Sequence, residues 1–125
     1  EGGGILIGAS LEGKNILIVD DVMTTGTSSG EAVEIIRTNG GIPIGCVIAF
    51  DRQERGKESS LSAVQEFQNT YGIPVRAAAT LTHLIDVLET KRTMGGDGPP
   101  MMSLHGIRTI LDALYVYREQ CGVRS

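Results

Sequence analysis

The run Ile16-Leu-Ile-Val19 constrains the fold more than any other segment. It holds four consecutive apolar residues, follows the turn-forming Glu12-Gly-Lys-Asn15 and ends in Asp20-Asp21. A continuous apolar run, unlike an alternating one, predicts a strand covered on both faces, as in a parallel sheet. The same pattern returns twice. Ile44–Phe50 ends at Asp51, and the shorter Val75–Ala79 ends at Thr80. Helical spacing fills the intervals. Gly30–Thr38 places Val33, Ile35 and Ile36 toward one face and stops at Asn39-Gly40-Gly41. Leu61–Tyr71 does the same with Leu61, Val64, Phe67 and Gln68, then ends at Tyr71-Gly-Ile-Pro74. Leu81–Glu89 reads as a helix after the third strand, and Leu104–Tyr117 as a last amphipathic helix within a C-terminal stretch of 104–122. Between them Lys91–Met102 carries three glycines and two prolines and reads as a mobile loop, centred on 92–102. Strand–helix alternation of this kind predicts an α/β fold with parallel strands and right-handed crossovers. Ligands in such sheets sit at the carboxyl ends of the strands. The loops Asp20–Ser29, Asp51–Ser60 and Thr80–His83 are therefore the places to look.

Composition narrows the function classes. At 125 residues the chain fits one domain. Fifteen acids against eleven bases give a net charge of −4, which argues against nucleic-acid or membrane-surface binding. No apolar run approaches the roughly 20 residues of a membrane span. The glycine-rich start, Glu1-Gly-Gly-Gly4 and on to residue 10, has no basic region and does not read as a signal peptide. It also lacks an initiator Met, so the expectation is a chain that does not begin where its gene begins. Cys46, inside an apolar run, reads as a small buried hydrophobe, and Cys121 lies near the C-terminus. Two cysteines make no disulfide framework, although one bridge between them stays open, and the expected compartment is reducing and cytoplasmic. Neither His83 nor His105 has metal-ligand spacing to other His or Cys residues. The charges of Glu54-Arg-Gly-Lys-Glu58 read as a solvated loop tip.

The chemistry-bearing segment is Ile16–Ser28. Two adjacent carboxylates, Asp20 and Asp21, leave the tip of a buried strand. Carboxylates accept hydrogen bonds, so they suit vicinal hydroxyls or a hard cation such as Mg²⁺. After Val22 and Met23 comes a loop of Thr24, Thr25, Gly26, Thr27 and Ser28 that runs straight into a helix. A helix start presents free N–H groups and partial positive charge, and Gly26 permits close backbone approach. That is an anion cradle suited to a phosphate. Ser28 and Ser29 could equally be helix caps. No Gly-Lys-Ser/Thr follows, so this is not a P-loop, and the Gly-x-Gly-x-x-Gly of dinucleotide sites is absent. Carboxylates for hydroxyls beside a cradle for phosphate fit a sugar phosphate.

These thirteen residues resemble the phosphoribosyl diphosphate (PRPP) signature of type I phosphoribosyltransferases: four apolar residues, two acids, two apolar residues and a Thr/Gly-rich loop. Phe50-Asp-Arg-Gln-Glu-Arg-Gly56 resembles the next loop of the orotate phosphoribosyltransferases in that family, and Leu61–Glu66, Tyr71–Val75 and Leu81–Ile85 are similar to its later segments. The likeness weakens over Lys91–Ser125. It implies a parallel-sheet, Rossmann-like core, incomplete on its N-terminal side. It implies a Mg²⁺-dependent enzyme of pyrimidine biosynthesis that makes orotidine 5′-monophosphate and diphosphate from orotate and PRPP. By the resemblance, Asp20 and Asp21 hold the ribose hydroxyls, Val22 and Met23 belong to the same PRPP-binding motif, and Thr24–Ser28 take the 5′-phosphate. Thr24 and Arg52 meet orotate, whose carboxylate and ring carbonyls suit an Arg fork. The magnesium would travel on the diphosphate, with no direct protein ligand.

Glu1-Gly-Gly-Gly4 resembles the tail of the family's catalytic loop, Lys-x-x-Lys-x-His-Gly-Glu-Gly, with two residues' difference in spacing to the signature. The loop Lys and His would precede Glu1, so the resemblance assigns no catalytic residue here. The expectation is a C-terminal portion, cut or split within a flexible loop (1–10 its tail), inactive without its N-terminal piece and paired as a homodimer. A PRPP-binding regulatory module and a transferase for another base are the alternatives. A two-component receiver domain also begins with an apolar strand and paired acids. It would need a further strand between Asp21 and Asp51 and a Lys ending a later strand, and it has no use for the Thr-rich loop.

Overall fold

A computed structural model describes residues 7–56, 60–94 and 103–123. The chain runs β1 (Asn15–Val22), α1 (Thr27–Thr38), β2 (Ile42–Asp51), α2 (Ala63–Tyr71), β3 (Val75–Thr80), α3 (Leu81–Met94) and α4 (Leu104–Cys121). The three strands form one parallel sheet in the order β1-β2-β3. Ile18 pairs with Cys46 and Cys46 with Val75, while Val22 pairs with Phe50 and Asp51 with Thr80. All three strands thus end on the same side of the sheet, where the connections after β1 and β2 begin, whereas the loop expected at Thr80–His83 is absent because α3 starts at Leu81 directly after β3.

The core has two parts. Ile18, Cys46, Ile48 and Val75 from the sheet pack with Val33 and Ile36 of α1 and with Ala63 and Phe67 of α2. Leu81, Ile85 and Leu88 of α3 pack with Ile107 and Leu111 of α4, and Phe50 joins them from β2. Ile18, Cys46, Ile48 and Val75 are buried on one covered face, but the expectation that the strands are covered on both faces fails. Val19 is 76% exposed and Leu17 53%, with Ile42 and Ile44 about half exposed. The reason is topological. Right-handed crossovers between strands laid down in one direction put α1 and α2 on a single face, and none of the described helices covers Leu17 and Val19.

Helix limits move for local reasons. α1 begins at Thr27, three residues before the expected Gly30, because Gly26 takes φ 71° and turns the chain into the helix early. α2 begins at Ala63 because Ser62 and Gln65 form a reciprocal capping box. Met94 lies three residues inside the segment 92–102 expected to be loop. Arg92 extends the helix by pairing with Glu89, and the Thr90 and Thr93 hydroxyls donate to carbonyls of the preceding turn. Residues 95–102 lie outside the described residues, as do Glu1 to residue 6. α4 extends to Cys121, past Tyr117, and is capped at its start by Ser103.

Candidate functional site at the strand tips

The site is built on the end of β1. Asp20 is half-buried, and its two oxygens have different partners. Oδ1 accepts the Asp21 backbone N–H at 2.9 Å, and Oδ2 accepts the Ser29 hydroxyl at 3.2 Å. Asp21 is exposed, and its Oδ1 accepts the Val22 N–H at 2.6 Å. Both carboxylates are thus oriented by local donors and retain acceptor capacity for hydroxyls.

Past Met23, which is buried, the loop closes a small cup of about 20 Å³. Asp20, Val22, Met23, Thr24, Thr25, Gly26, Thr27 and Ser28 line it, together with Ser29. Asp21 stands just outside. The Thr25 and Thr27 hydroxyls bond each other at 2.9 Å. Gly26 is the N-cap of α1 and supplies no side chain, so the first-turn N–H groups of Thr27, Ser28 and Ser29 have no capping oxygen. An N-terminus left uncapped, lined with hydroxyls and closed by a glycine, is chemically a seat for an anion. The alternative that Ser28 or Ser29 caps the helix is excluded by this geometry.

Ser29 is the residue that sequence reasoning missed. It is 2% exposed, and its hydroxyl holds Asp20 rather than the helix end. Its signal was its position: one turn into an early-starting helix, it faces back toward the strand. Cys46 lies beneath the same carboxylate. Burial pushes its thiol above the ordinary cysteine value, the Asp20 charge adds to the shift, and the Ser29 hydroxyl partly offsets it. Both cysteines are free thiols.

Arg52 follows β2, one strand over. The register Val22↔Phe50 sets its loop beside Met23 and Thr24. Arg52 does not line the cup. Its guanidinium pairs with Glu54 at 2.7 Å, and its Nε is buried without a hydrogen-bond partner. The expectation that the charges from Glu54 onward form a solvated tip is corrected for Glu54 and Arg55. Glu54 forms a bridge with Gly122, and Arg55 bonds the end of α4. Residues 57–59 lie outside the described residues. Thr80, at the end of β3, caps α3 by accepting the His83 N–H.

A larger groove of about 740 Å³ shares Thr25, Gly26 and Thr27 with the cup and runs between α1 and α2. Glu31, Glu34 and Glu66 line it, which makes it a poor seat for phosphate. Among the described residues, no three His, Cys, Asp or Glu side chains are grouped to hold a metal ion. Among them also, no helix is long and apolar enough to cross a membrane.

Comparison with known proteins agrees with this geometry. The profile of the phosphoribosyl transferase domain matches residues 5–91. The orotate phosphoribosyltransferase of Chromobacterium violaceum is 47% identical over 121 residues, covering 97% of this chain and 50% of that protein. That of Stenotrophomonas maltophilia is 48% identical over 124 residues, covering 98% and 51%. The crystal structure of orotate phosphoribosyltransferase from Francisella tularensis superposes with a TM-score of 0.69 at 27% identity, over 93% of this chain and 50% of that one. The chain therefore spans about half the length of the curated relatives it matches. A parallel sheet with paired acids at the tip of its first strand, an uncapped Thr/Gly-rich helix start after them, and a profile match that takes in both place this chain in the phosphoribosyl transferase domain family.

Proposed function

We propose that the protein transfers the phosphoribosyl group of PRPP to orotate, giving orotidine 5′-monophosphate and diphosphate in pyrimidine biosynthesis. The observation that carries this reading is the cup itself: Asp20 oriented by Ser29 on one side and the uncapped start of α1 on the other.

In this reading Asp20 and Asp21 accept hydrogen bonds from the ribose hydroxyls. The hydroxyls of Thr24, Thr25, Thr27 and Ser28 and the first N–H groups of α1 hold the 5′-phosphate, with Gly26 giving backbone access and Val22 and Met23 forming the floor. Holding the phosphate and the hydroxyls fixes the ribose for attack at its anomeric carbon. A ring nitrogen of orotate gives up its proton to solvent and bonds to that carbon as the bond to the diphosphate oxygen breaks and the diphosphate departs with its electron pair. Positive character gathers on the ribose in the transition state, and the two carboxylates stabilise it. Thr24 and Arg52 orient orotate, Arg52 exchanging its contact with Glu54 for the orotate carboxylate.

In this reading magnesium arrives on the diphosphate. Diphosphate oxygens and water would supply its ligands, as suits a hard, strongly hydrated cation. When bound it neutralises charge on the departing diphosphate. The cationic loop that would complete the site, the N-terminal piece that would carry it, a homodimeric assembly and a cytoplasmic location belong to the same proposal.

The test adds PRPP with Mg²⁺, with and without orotate, to the full-length protein while thermal shift and orotate consumption are recorded. Stabilisation by PRPP with orotate turnover is the expected result. Stabilisation by PRPP without use of orotate would point to a binding module or to a different base.

A further inference from the structure

The loop that carries Arg52 is held in an unusual way. Gln53 adopts φ 55°, and it is the one non-glycine residue with positive φ among those described. L side chains rarely hold that conformation unless their surroundings impose it, and such strain gathers at functional sites. Here four contacts impose it. The Gln53 N–H donates to Asp51 Oδ1 at 2.8 Å. Its side-chain Oε1 accepts both the Thr82 N–H at 3.0 Å and the Thr82 hydroxyl at 2.7 Å, at the start of α3. Its carbonyl accepts the Val123 N–H at 2.9 Å. That last bond belongs to a short antiparallel pairing with the end of α4, in which the Arg55 N–H donates to the Cys121 carbonyl at 2.7 Å. The Arg55 guanidinium adds a bond to the Gln120 carbonyl at 2.8 Å. Gly122 makes the pairing possible, since a Cβ there would meet the Arg118 carbonyl at 2.5 Å.

We propose that Gln53 is a positioning residue, locked by Thr82 and by the end of α4, that sets Arg52 for the planar, carboxylate-bearing ring of the acceptor. The inference rests on the function proposed above and deepens it. It assigns ring recognition to contacts more than 60 residues apart in the chain, Arg55 with Gln120 and Gln53 with Val123. The phosphate cup shares none of these contacts: its residues are joined by Asp20, Ser29 and the start of α1. The two halves of the site are thus separately held, and they should separate in kinetics.

The experiment measures KM for orotate and KM for PRPP on the full-length protein and four variants. Gln53→Ala removes the acceptor. Val123→Pro removes the N–H that holds the Gln53 carbonyl, and it follows Gly122, whose φ −70° and ψ 154° suit a residue before proline. Thr82→Val deletes one of the two donors, and Thr82→Ser restores it. The expected result is a rise of about tenfold or more in KM for orotate in Gln53→Ala and Val123→Pro, with KM for PRPP within about twofold (a tenfold change corresponds to about 1.4 kcal/mol). Thr82→Val should show part of that rise and Thr82→Ser none. A parallel rise in both constants, or no change in either, overturns the proposal. If Gln53→Ala does not fold, the pair at Thr82, an exposed side chain, decides the question alone. A wild-type protein that binds PRPP and ignores orotate overturns the proposed function, and this inference with it; orotate turnover unaffected by the four variants overturns the inference only.

Discussion

Asp20 shows how little at the residue scale separates a solvated turn from a site. An acid pair ending a strand is common. What distinguishes this one is the buried Ser29 hydroxyl that fixes one oxygen while the Asp21 N–H fixes the other. Removing the hydroxyl loosens the carboxylate without touching the ligand. Ser29→Ala is therefore expected to weaken PRPP binding about tenfold, the order of one hydrogen bond to a charged acceptor. Titration calorimetry checks it, and an unchanged dissociation constant would remove Ser29 from the site. Cys46, below the same carboxylate, offers a second reading. Its thiol is pushed up by burial and by Asp20, so at pH 8 it stays in the protonated, unreactive form. A thiol reagent should label Cys121 first and Cys46 only after denaturant is added.

The acids, the glycine and the hydroxyls of Ile16–Ser28 were legible because the chemistry lies within one short stretch of chain. Ser29 was not, because its role depends on where α1 begins, and that depends on the positive φ of Gly26. Arg55 reads as a solvated cation in the sequence because its partners, Gln120 and Cys121, are far away along the chain. Local pattern carries no information about contacts of that kind.

At the scale of elements, the three strands and four helices fall where apolar periodicity puts them, with ends set by caps that are only partly visible in advance. Ile48, fully buried, lies at the centre of the sheet. Ile48→Ala is expected to cost about 2–5 kcal/mol through lost transfer energy and the cavity left behind, read as a lower midpoint in denaturant. The α3–α4 contact carries a pH signature. Glu89 is held below the ordinary carboxylate range, first by Arg92 and then by the Tyr115 hydroxyl, which donates to it at 2.9 Å. A carboxyl depressed in the folded state stabilises it above the unfolded pKa, and that contribution is lost as pH falls through the folded pKa. Both side chains are partly exposed, so solvent screening keeps the effect small. Glu89→Gln should flatten the acid side of the stability profile and leave the neutral region nearly unchanged. An unaltered acid slope would show that the Glu89 contacts do not persist in solution.

For the whole molecule, the most telling feature is a sheet face that none of the described helices covers. Leu17, Val19, Ile42 and Ile44 leave an apolar patch on a three-stranded sheet whose relatives are about twice as long. The continuous apolar runs predict burial on both faces, but among the described residues α1 and α2 supply it on one side only, and the expectation fails for Leu17 and Val19. The central claim is narrower and can be tested directly: one end of this sheet holds a ribose phosphate between Asp20-Asp21 and the start of α1. The decisive measurement is an amide NMR titration of the isotope-labelled full-length protein with PRPP and Mg²⁺. The account predicts that the amides of Asp20, Asp21 and Thr24–Ser29 move together along one saturating curve. Saturable binding that shifts amides elsewhere and leaves these in place would contradict it.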